Sequence, residues 1–184
     1  MTGRPILDDG TAPMQLEYGS NRDEPAWNRF VLDFEGDGRL RINDPRRLGG
    51  VELDPAEDRL GADVLSLGLR DLRSALRSAA PVKSVLLDQH RIAGLGNMLT
   101  DECLWQAGID PTRPARSLDD DEVRRLHRTI RRVLPRMLAA GGSHTGRLEP
   151  AVRRSGAVCP KDGAPLVRRM IGGRATYSCS KHQR

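Results

Sequence analysis

The stretch Leu86-Leu-Asp-Gln-His-Arg-Ile-Ala-Gly-Leu-Gly-Asn-Met-Leu-Thr-Asp-Glu102 decides the fold, because a helical pattern breaks inside it and then resumes. The break ends at Gly94-Leu-Gly-Asn97, and Asn97 is a predicted N-cap for a helix that runs to Gly108. The first turn of a helix directs free backbone N–H groups outwards. The break therefore predicts either an anion site or a simple capped helix.

The pattern around this break is helical from about residue 63 to residue 140. Ser117 and Asp120 have the spacing of a capping box, and Pro135 predicts a kink near the end of the helix that follows. The Gly141-Gly142 pair is a predicted stop. One side of this last helix is apolar at Val123, Leu126, Ile130, Val133, Leu134 and Met137.

Residues before this helical region have the pattern of strands and turns. Arg29–Phe34 alternates polar and apolar side chains, the turn Glu35-Gly-Asp-Gly38 follows, and Arg39–Ile42 is a second short run. Together they predict a β-hairpin. A hairpin alone is marginally stable, so its apolar face must pack against something else.

The C-terminal 29 residues combine a hairpin pattern with pairs of metal-ligating side chains. Val167–Ile171 and Arg174–Ser178 are predicted strands around a Gly172-Gly173 turn. Cys159 and Asp162 flank one end, and Cys179 and His182 flank the other with the same gap. Thiolate, imidazole and carboxylate groups all bind zinc, so this spacing predicts one tetrahedral zinc site. The alternative is a decayed site that packs without metal.

Composition agrees with a soluble, globular protein that binds a polyanion. The chain has 184 residues and a net charge of +5, with 27 arginines among its 30 basic residues. The excess of positive charge favours a nucleic-acid partner. Three cysteines make no even disulfide framework. We expect no membrane span and no signal peptide, hence a cytoplasmic protein.

Three motifs in order along the chain resemble those of one family of DNA-repair enzymes. Residues 86–102 with Ala107-Gly-Ile-Asp-Pro111 resemble the helix–two-turns–helix signature of the formamidopyrimidine/endonuclease VIII (Fpg/Nei) glycosylases. Asn43-Asp-Pro-Arg-Arg-Leu-Gly49 resembles the loop that this family inserts into DNA. Gly172-Gly-Arg-Ala-Thr-Tyr177 resembles its zinc-finger hairpin.

The resemblance implies an α+β fold in four parts. Residues 1–52 would be the remnant of an N-terminal β-sandwich and 53–142 the helix–two-turns–helix domain. Residues 143–155 would be a mobile linker, and 156–184 a zinc-finger-like β-hairpin.

The resemblance also implies which residues contact DNA. Asn97 and Arg174 would hold one phosphate from two sides, and Arg46 would meet the base left behind when its partner is flipped out. Leu48 stands where the family usually has an aromatic wedge. The full set of implied DNA-binding residues is Asn97, Arg174, Arg46, Leu48, Met1, Lys83 and Gly96.

Two departures from the family pattern shape the functional hypothesis. The family's proline nucleophile and its adjacent glutamate precede a Met-Thr-Gly turn, which is where this sequence begins. Asp162 and His182 stand where the family usually has cysteine. We expect a zinc-containing protein that binds damaged or abasic double-stranded DNA in the cytoplasm, at the nucleoid, without excising bases.

Two alternatives remain open from the sequence. The first is an active glycosylase/lyase whose N-terminal part is missing from this chain or is supplied by another chain. The second is a protein-interaction remnant that recruits a partner at an exposed sheet edge.

Overall fold

The computed structural model describes residues 3–10, 21–36, 38–47, 50–154 and 156–184. The chain divides into two compact units, residues 1–56 and 57–184. The second unit contains the helices and the C-terminal hairpin together. None of the helices in the described ranges has the length and hydrophobicity of a membrane-spanning segment.

The first unit contains a three-stranded antiparallel sheet with strand order β1–β3–β2. The strands are β1 (Arg4–Leu7), β2 (Asn28–Asp33) and β3 (Arg39–Asn43). The predicted hairpin is confirmed as β2 and β3, which pair from Asn28↔Asn43 to Asp33↔Arg39. Strand β1 was not predicted, because it has only four residues and the first two are an arginine and a proline.

In the described part of the second unit there are four α-helices. They are α1 (Leu69–Ala75), α2 (Val82–Leu87), α3 (Asn97–Ala107) and α4 (Asp120–Ala139). Two short parallel strands, β4 (Ala62–Asp63) and β5 (Ile92–Ala93), pair before α1 and α3. The chain ends in the antiparallel hairpin β6 (Val167–Ile171) and β7 (Arg174–Ser178), as predicted. Short 3₁₀ turns lie at Pro25–Trp27, Glu57–Arg59, Ala115–Ser117 and Pro150–Val152.

Helix α3 is capped one residue earlier than the sequence predicted. Gly96 is the N-cap, with extended φ and ψ of −91° and 173°, and Asn97 is the first helical residue. The prediction of Asn97 as N-cap was therefore wrong. Its side chain is directed to the C-terminal hairpin instead of its own helix. The helix ends as predicted, because Gly108 adopts φ 69° and begins a left-handed turn.

Helix α4 is capped at a different residue from the one predicted. Asp119 accepts a hydrogen bond from Glu122 N, and Glu122 accepts one from Asp119 N, so the capping box is Asp119–Glu122. The Ser117–Asp120 prediction was wrong by two residues, since Ser117 belongs to the preceding 3₁₀ turn. All six predicted apolar side chains of α4 are buried, and the helix stops just before Gly141-Gly142.

The core of the second unit is formed where α3 packs against α2 and α4, with α1 against α4. A smaller cluster continues this core towards the C-terminal hairpin and joins Trp105 of α3 to Leu148, Cys159 and Cys179. Leu148 is 2% exposed although it falls in the predicted linker 143–155. Part of that segment therefore packs on α3.

Candidate nucleic-acid interface and metal centre

The start of helix α3 meets the C-terminal hairpin through Asn97. Its amide Nδ2 donates to the backbone carbonyl of Ala175 at 3.0 Å, while its Oδ1 is buried and accepts no hydrogen bond from described residues. The first intrahelical bond of α3 is Thr100 N to Gly96 O. Gly96 is exposed, so the free N–H groups of the first turn begin at the surface, and such groups bind anions.

Arg174 lies at the tip of the hairpin, next to the residue that Asn97 binds. Gly172 and Gly173 make the turn with φ of 55° and 71°, values that favour glycine. A Cβ at Gly172 would lie 3.1 Å from Ser84 Oγ, so the turn rests closely on α2. Arg174 itself is exposed. The residue that Asn97 binds, Ala175, directly follows Arg174 in the chain, so the Arg174 backbone lies next to Asn97.

Lys83 was predicted to contact DNA, and its position does not support that role. The side chain has no exposed surface. Its ammonium group forms an ion pair with Asp101 at 2.7 Å and donates to Thr176 Oγ1 at 2.7 Å. Burial lowers the pKa of Lys83, and the Asp101 carboxylate opposes this shift. Lys83 therefore holds the hairpin strand onto α2 and α3.

Arg153 completes this buried charge network. Its guanidinium lies 2.7 Å from the second oxygen of Asp101 and 4.8 Å from the centre of the Tyr177 ring. Tyr177 N also donates to Asp101 at 3.3 Å. The buried Lys83 and the half-buried Arg153 share this carboxylate, and both donate to the Ala175 carbonyl that Asn97 also binds. Sequence reasoning missed Arg153 because it was placed in a linker.

The Asn43–Arg47 loop of the first unit has a defined conformation. Asp44 is 1% exposed, and its carboxylate accepts a hydrogen bond from Arg46 N at 3.1 Å. This turn leaves Arg46 exposed, as a contact with a base requires. The predicted contacts Leu48 and Met1 lie outside the described residues.

The four predicted metal ligands lie together at the base of the hairpin. One ligand atom from each of Cys159, Asp162, Cys179 and His182 lies within 4.8 Å of every other. Cys159 Sγ is 3.8 Å from His182 Nδ1, and Cys179 Sγ is 3.4 Å from the Asp162 oxygens. Bonds of about 2.0–2.3 Å to a tetrahedral zinc ion give ligand separations of roughly 3.3–3.8 Å. The cluster can hold a metal ion.

Surrounding groups orient the two unusual ligands of this cluster. His182 Nδ1 lies 2.7 Å from Asp162 Oδ2, and Nε2 lies 3.2 Å from the Trp105 carbonyl. When a metal ion is bound, an Nε2–H group that donates to Trp105 would leave the Nδ1 lone pair for the metal. Although burial raises the pKa of Asp162, hydrogen bonds from Ala164 N and His182 hold it well below its usual range. An ionised carboxylate and a neutral imidazole nitrogen are the forms that bind zinc.

Trp105 and Gln183 support the two cysteines. The Trp105 indole N–H donates to Cys159 Sγ at 3.3 Å, and its ring packs edge-on against His182 at 5.5 Å. Gln183 accepts from Cys179 N at 2.7 Å and donates to Ile109 O. Sequence reasoning missed both residues. The sequence signal that could have found Trp105 is that it is a single tryptophan on a predicted helix, in a chain with few aromatic residues.

Comparison with known proteins gives the same assignment for the fold. Residues 53–148 match the model of the formamidopyrimidine-DNA glycosylase H2TH domain. A formamidopyrimidine-DNA glycosylase of Thermus thermophilus is 37% identical over 188 residues, which cover 88% of this chain and 70% of the relative. The crystal structure of the Fpg protein from that organism is also similar, with a TM-score of 0.73 and 33% identity. The match covers all of this chain and 73% of that protein's chain.

A structure of the LlFpg protein with THF-DNA and an inhibitor is also similar. It is 26% identical, with TM-score 0.74, and the match covers all of this chain and 72% of LlFpg. The chain therefore belongs to the formamidopyrimidine-DNA glycosylase family, as its three motifs predicted.

Proposed function

We propose that this protein binds double-stranded DNA at lesions or abasic sites, and that Asn97 and Arg174 share one backbone phosphate. The observation that carries this proposal is the bond from Asn97 to Ala175, because it places the amide beside the residue that follows Arg174. A guanidinium and a helix N-terminus are both good phosphate ligands. The similar LlFpg structure holds THF-DNA, which supports the same class of ligand here.

Arg46 is the proposed contact to the bases. Its loop is fixed by the buried Asp44, and the residue is exposed. Because the Arg46 backbone is already held by Asp44, insertion into DNA would cost side-chain entropy but little further backbone entropy. We assign Leu48 and Met1 to the same insertion, by family resemblance alone. Such a protein would act on chromosomal DNA in the cytoplasm.

We further propose that these residues bind DNA without themselves supplying the covalent chemistry of base excision. The exposed groups at this place are a guanidinium and backbone N–H groups, neither of which forms an imine with an opened sugar. The Lys83 amine donates to the same Ala175 carbonyl as Asn97, at 3.2 Å. Lys83, whose ammonium binds the same hairpin strand, has no exposed surface. The alternative is an active glycosylase/lyase whose nucleophile lies outside these residues.

Zinc is the metal we propose for the cluster of Cys159, Asp162, Cys179 and His182. Two soft thiolates with one imidazole and one carboxylate favour Zn²⁺ over Mg²⁺ or Ca²⁺. Bound zinc would fix the hairpin base by joining its two ends. The hairpin tip carries Arg174, so the metal acts on DNA binding through position and not through chemistry.

The decisive experiment measures binding of the chain to duplexes with and without a tetrahydrofuran abasic-site analogue. We expect tighter binding to the analogue, and an Arg174→Ala variant that binds it roughly tenfold more weakly, as the loss of one charge-assisted hydrogen bond implies. Arg70→Ala, a change at an exposed arginine of α1, is the matched control for charge. No binding to either duplex at low salt would contradict the proposal.

Borohydride trapping on DNA with a natural abasic site separates binding from lyase activity. Only a protein that forms an imine becomes cross-linked. We expect no cross-link from this chain. A cross-link would support the enzyme alternative and leave the phosphate contacts unchanged.

A second candidate function, recruitment of a protein partner, is supported by the sheet of the first unit. Leu7 and Leu32 both pair with Leu40, so they share one face of the sheet, and they are 42% and 41% exposed. Apolar side chains grouped on a small sheet are common at protein contacts. Light scattering that shows a monomer, together with DNA binding, would count against this candidate.

A further inference from the structure

Beyond the interface at the start of α3, a second positively charged feature lies at the end of that helix. A small open cavity of about 40 Å³ lies between α3, α4 and the segment after α4. We name it the arginine cleft after Arg132, Arg136 and Arg147, which line it together with Glu102, Gln106 and Thr145.

The cleft has a definite shape because the segment after α4 packs tightly against α3. A Cβ at Gly146 would lie 2.6 Å from Glu102 Oε2, so a side chain at this position would displace the Glu102 carboxylate. Leu148 N donates to the same carboxylate at 2.8 Å. These contacts hold Arg147 beside the arginines of α4.

The positive charge of the cleft is not cancelled locally. From Val123 to Leu148 the sequence contains seven arginines and no aspartate or glutamate. Glu102 is 1% exposed, and its two oxygens already accept from Gln106 Nε2 at 2.6 Å and from Leu148 N. Arg132 donates to Gln106 Oε1 at 2.9 Å. Arg136 and Arg147 form no ion pair with any residue in the described ranges.

This arrangement fits a phosphate group. Forked guanidinium donors suit the oxygens of a phosphate. The three arginines that line the cleft outnumber its one carboxylate, that of Glu102. Gln106 lies nine residues after Asn97 on the same helix, which is about 14 Å along the axis. A phosphate in the cleft is therefore a different one from that held by Asn97 and Arg174.

We infer that the arginine cleft is a second anchor for the DNA backbone, binding a phosphodiester away from the lesion. The inference rests on the proposed DNA-binding function. Because a backbone phosphate carries no sequence or lesion information, this anchor strengthens binding to intact and damaged duplex equally. The proposed Arg174 contact, in contrast, favours the duplex that contains the abasic-site analogue.

The test compares two double variants with the same change in charge. Arg136→Ala/Arg147→Ala removes the cleft donors, and Arg128→Ala/Arg131→Ala removes two exposed arginines of α4 outside it. Dissociation constants are measured across salt concentrations for both duplexes. We expect the cleft variant to lose roughly tenfold in affinity for both, and its slope of log K against log salt to fall by about 0.9 for one phosphate.

Three results would overturn the inference. An equal loss in both double variants would show a general effect of charge. An unchanged affinity in the cleft variant, whatever its thermal stability, would show that the two arginines do not contact DNA. Perturbation of the Arg136 and Arg147 Nε–H signals by inorganic phosphate, without any effect of the variant on DNA, would assign the cleft to a free anion.

The proposed function and this inference fail in different ways. If the unmodified chain binds neither duplex, both fail together. If it binds the abasic analogue, depends on Arg174, and does not depend on the cleft, only the second anchor fails.

Discussion

Lys83 Nζ lies 2.7 Å from the Asp101 carboxylate, and both side chains are fully buried. This ion pair joins α2 to α3, and the same ammonium group binds the hairpin strand at Thr176. Lys83, which the sequence analysis predicted as a DNA contact, therefore helps to position the proposed DNA ligands.

Replacing Lys83 by methionine should destabilise the protein by about 3 kcal/mol, because Asp101 then keeps only one of its two cations in a buried site. Urea unfolding measures the loss. Lys83→Met combined with Asp101→Asn should cost less than the sum of the two single changes. Additive costs would mean that the pair does not interact as the structure indicates.

Asn97→Asp should reduce affinity for the abasic-site analogue by roughly tenfold or more, since a like charge would then face the phosphate. The new carboxylate would also face the Ala175 carbonyl that the amide now binds. Fluorescence anisotropy with a labelled duplex checks this. Asn97→Ala removes the donor without adding charge and should bind with intermediate affinity. Equal losses for both variants would speak against a phosphate at this position.

The metal cluster should bind one zinc ion per chain, measured by metal analysis after dialysis. Because Trp105 donates to Cys159 Sγ and packs on His182, its fluorescence should change when a chelator removes the metal. His182→Ala should abolish tight binding. A protein with no bound zinc and an unchanged melting temperature after chelation would support the alternative of a site that packs without metal.

Replacing the existing carboxylate ligand gives a matched comparison. Asp162→Cys provides three thiolates and one imidazole at the same spacing, and should bind zinc more tightly than the natural chain. Competition with a chromogenic chelator measures the difference. Weaker binding would show that the backbone at 162 suits only a carboxylate.

Glu122→Gln should destabilise the protein by about 1 kcal/mol at pH 7 and by less in acid, because a charge-assisted hydrogen bond becomes a neutral one. Hydrogen bonds from Arg113 lower the pKa of Glu122 below its ordinary value of 4.5. A lowered folded pKa gives stability that is present above the unfolded pKa and lost as the pH falls through the folded value. Thermal melting from neutral pH into acid should show the two proteins converge. A difference independent of pH would indicate that the charge of Glu122 is unimportant.

The local elements followed from the sequence because their signals are local. The break at Gly94–Asn97, the apolar side of α4 and the Gly172-Gly173 hairpin each depend on residues within one or two turns. The metal cluster was also predictable, since its four ligands keep a regular spacing around the hairpin. Errors of one or two residues in the caps arose where neighbouring residues of similar chemistry, such as Ser117 and Asp119, competed for one position.

Side-chain roles between distant elements were not predictable from spacing. Lys83 and Asp101 come from different helices, and Arg153 and Tyr177 join them only after the hairpin packs on α3. The arginine cleft likewise requires Gly146 to approach Glu102.

The sequence by itself determined the helices, the hairpins, the candidate metal ligands and the family, because each depends on short-range periodicity, turn chemistry or motif order. Only the tertiary structure decided which charges are buried in pairs and which remain available to bind phosphate. Burial and pairing depend on contacts between residues far apart in the chain, and no local pattern specifies those contacts.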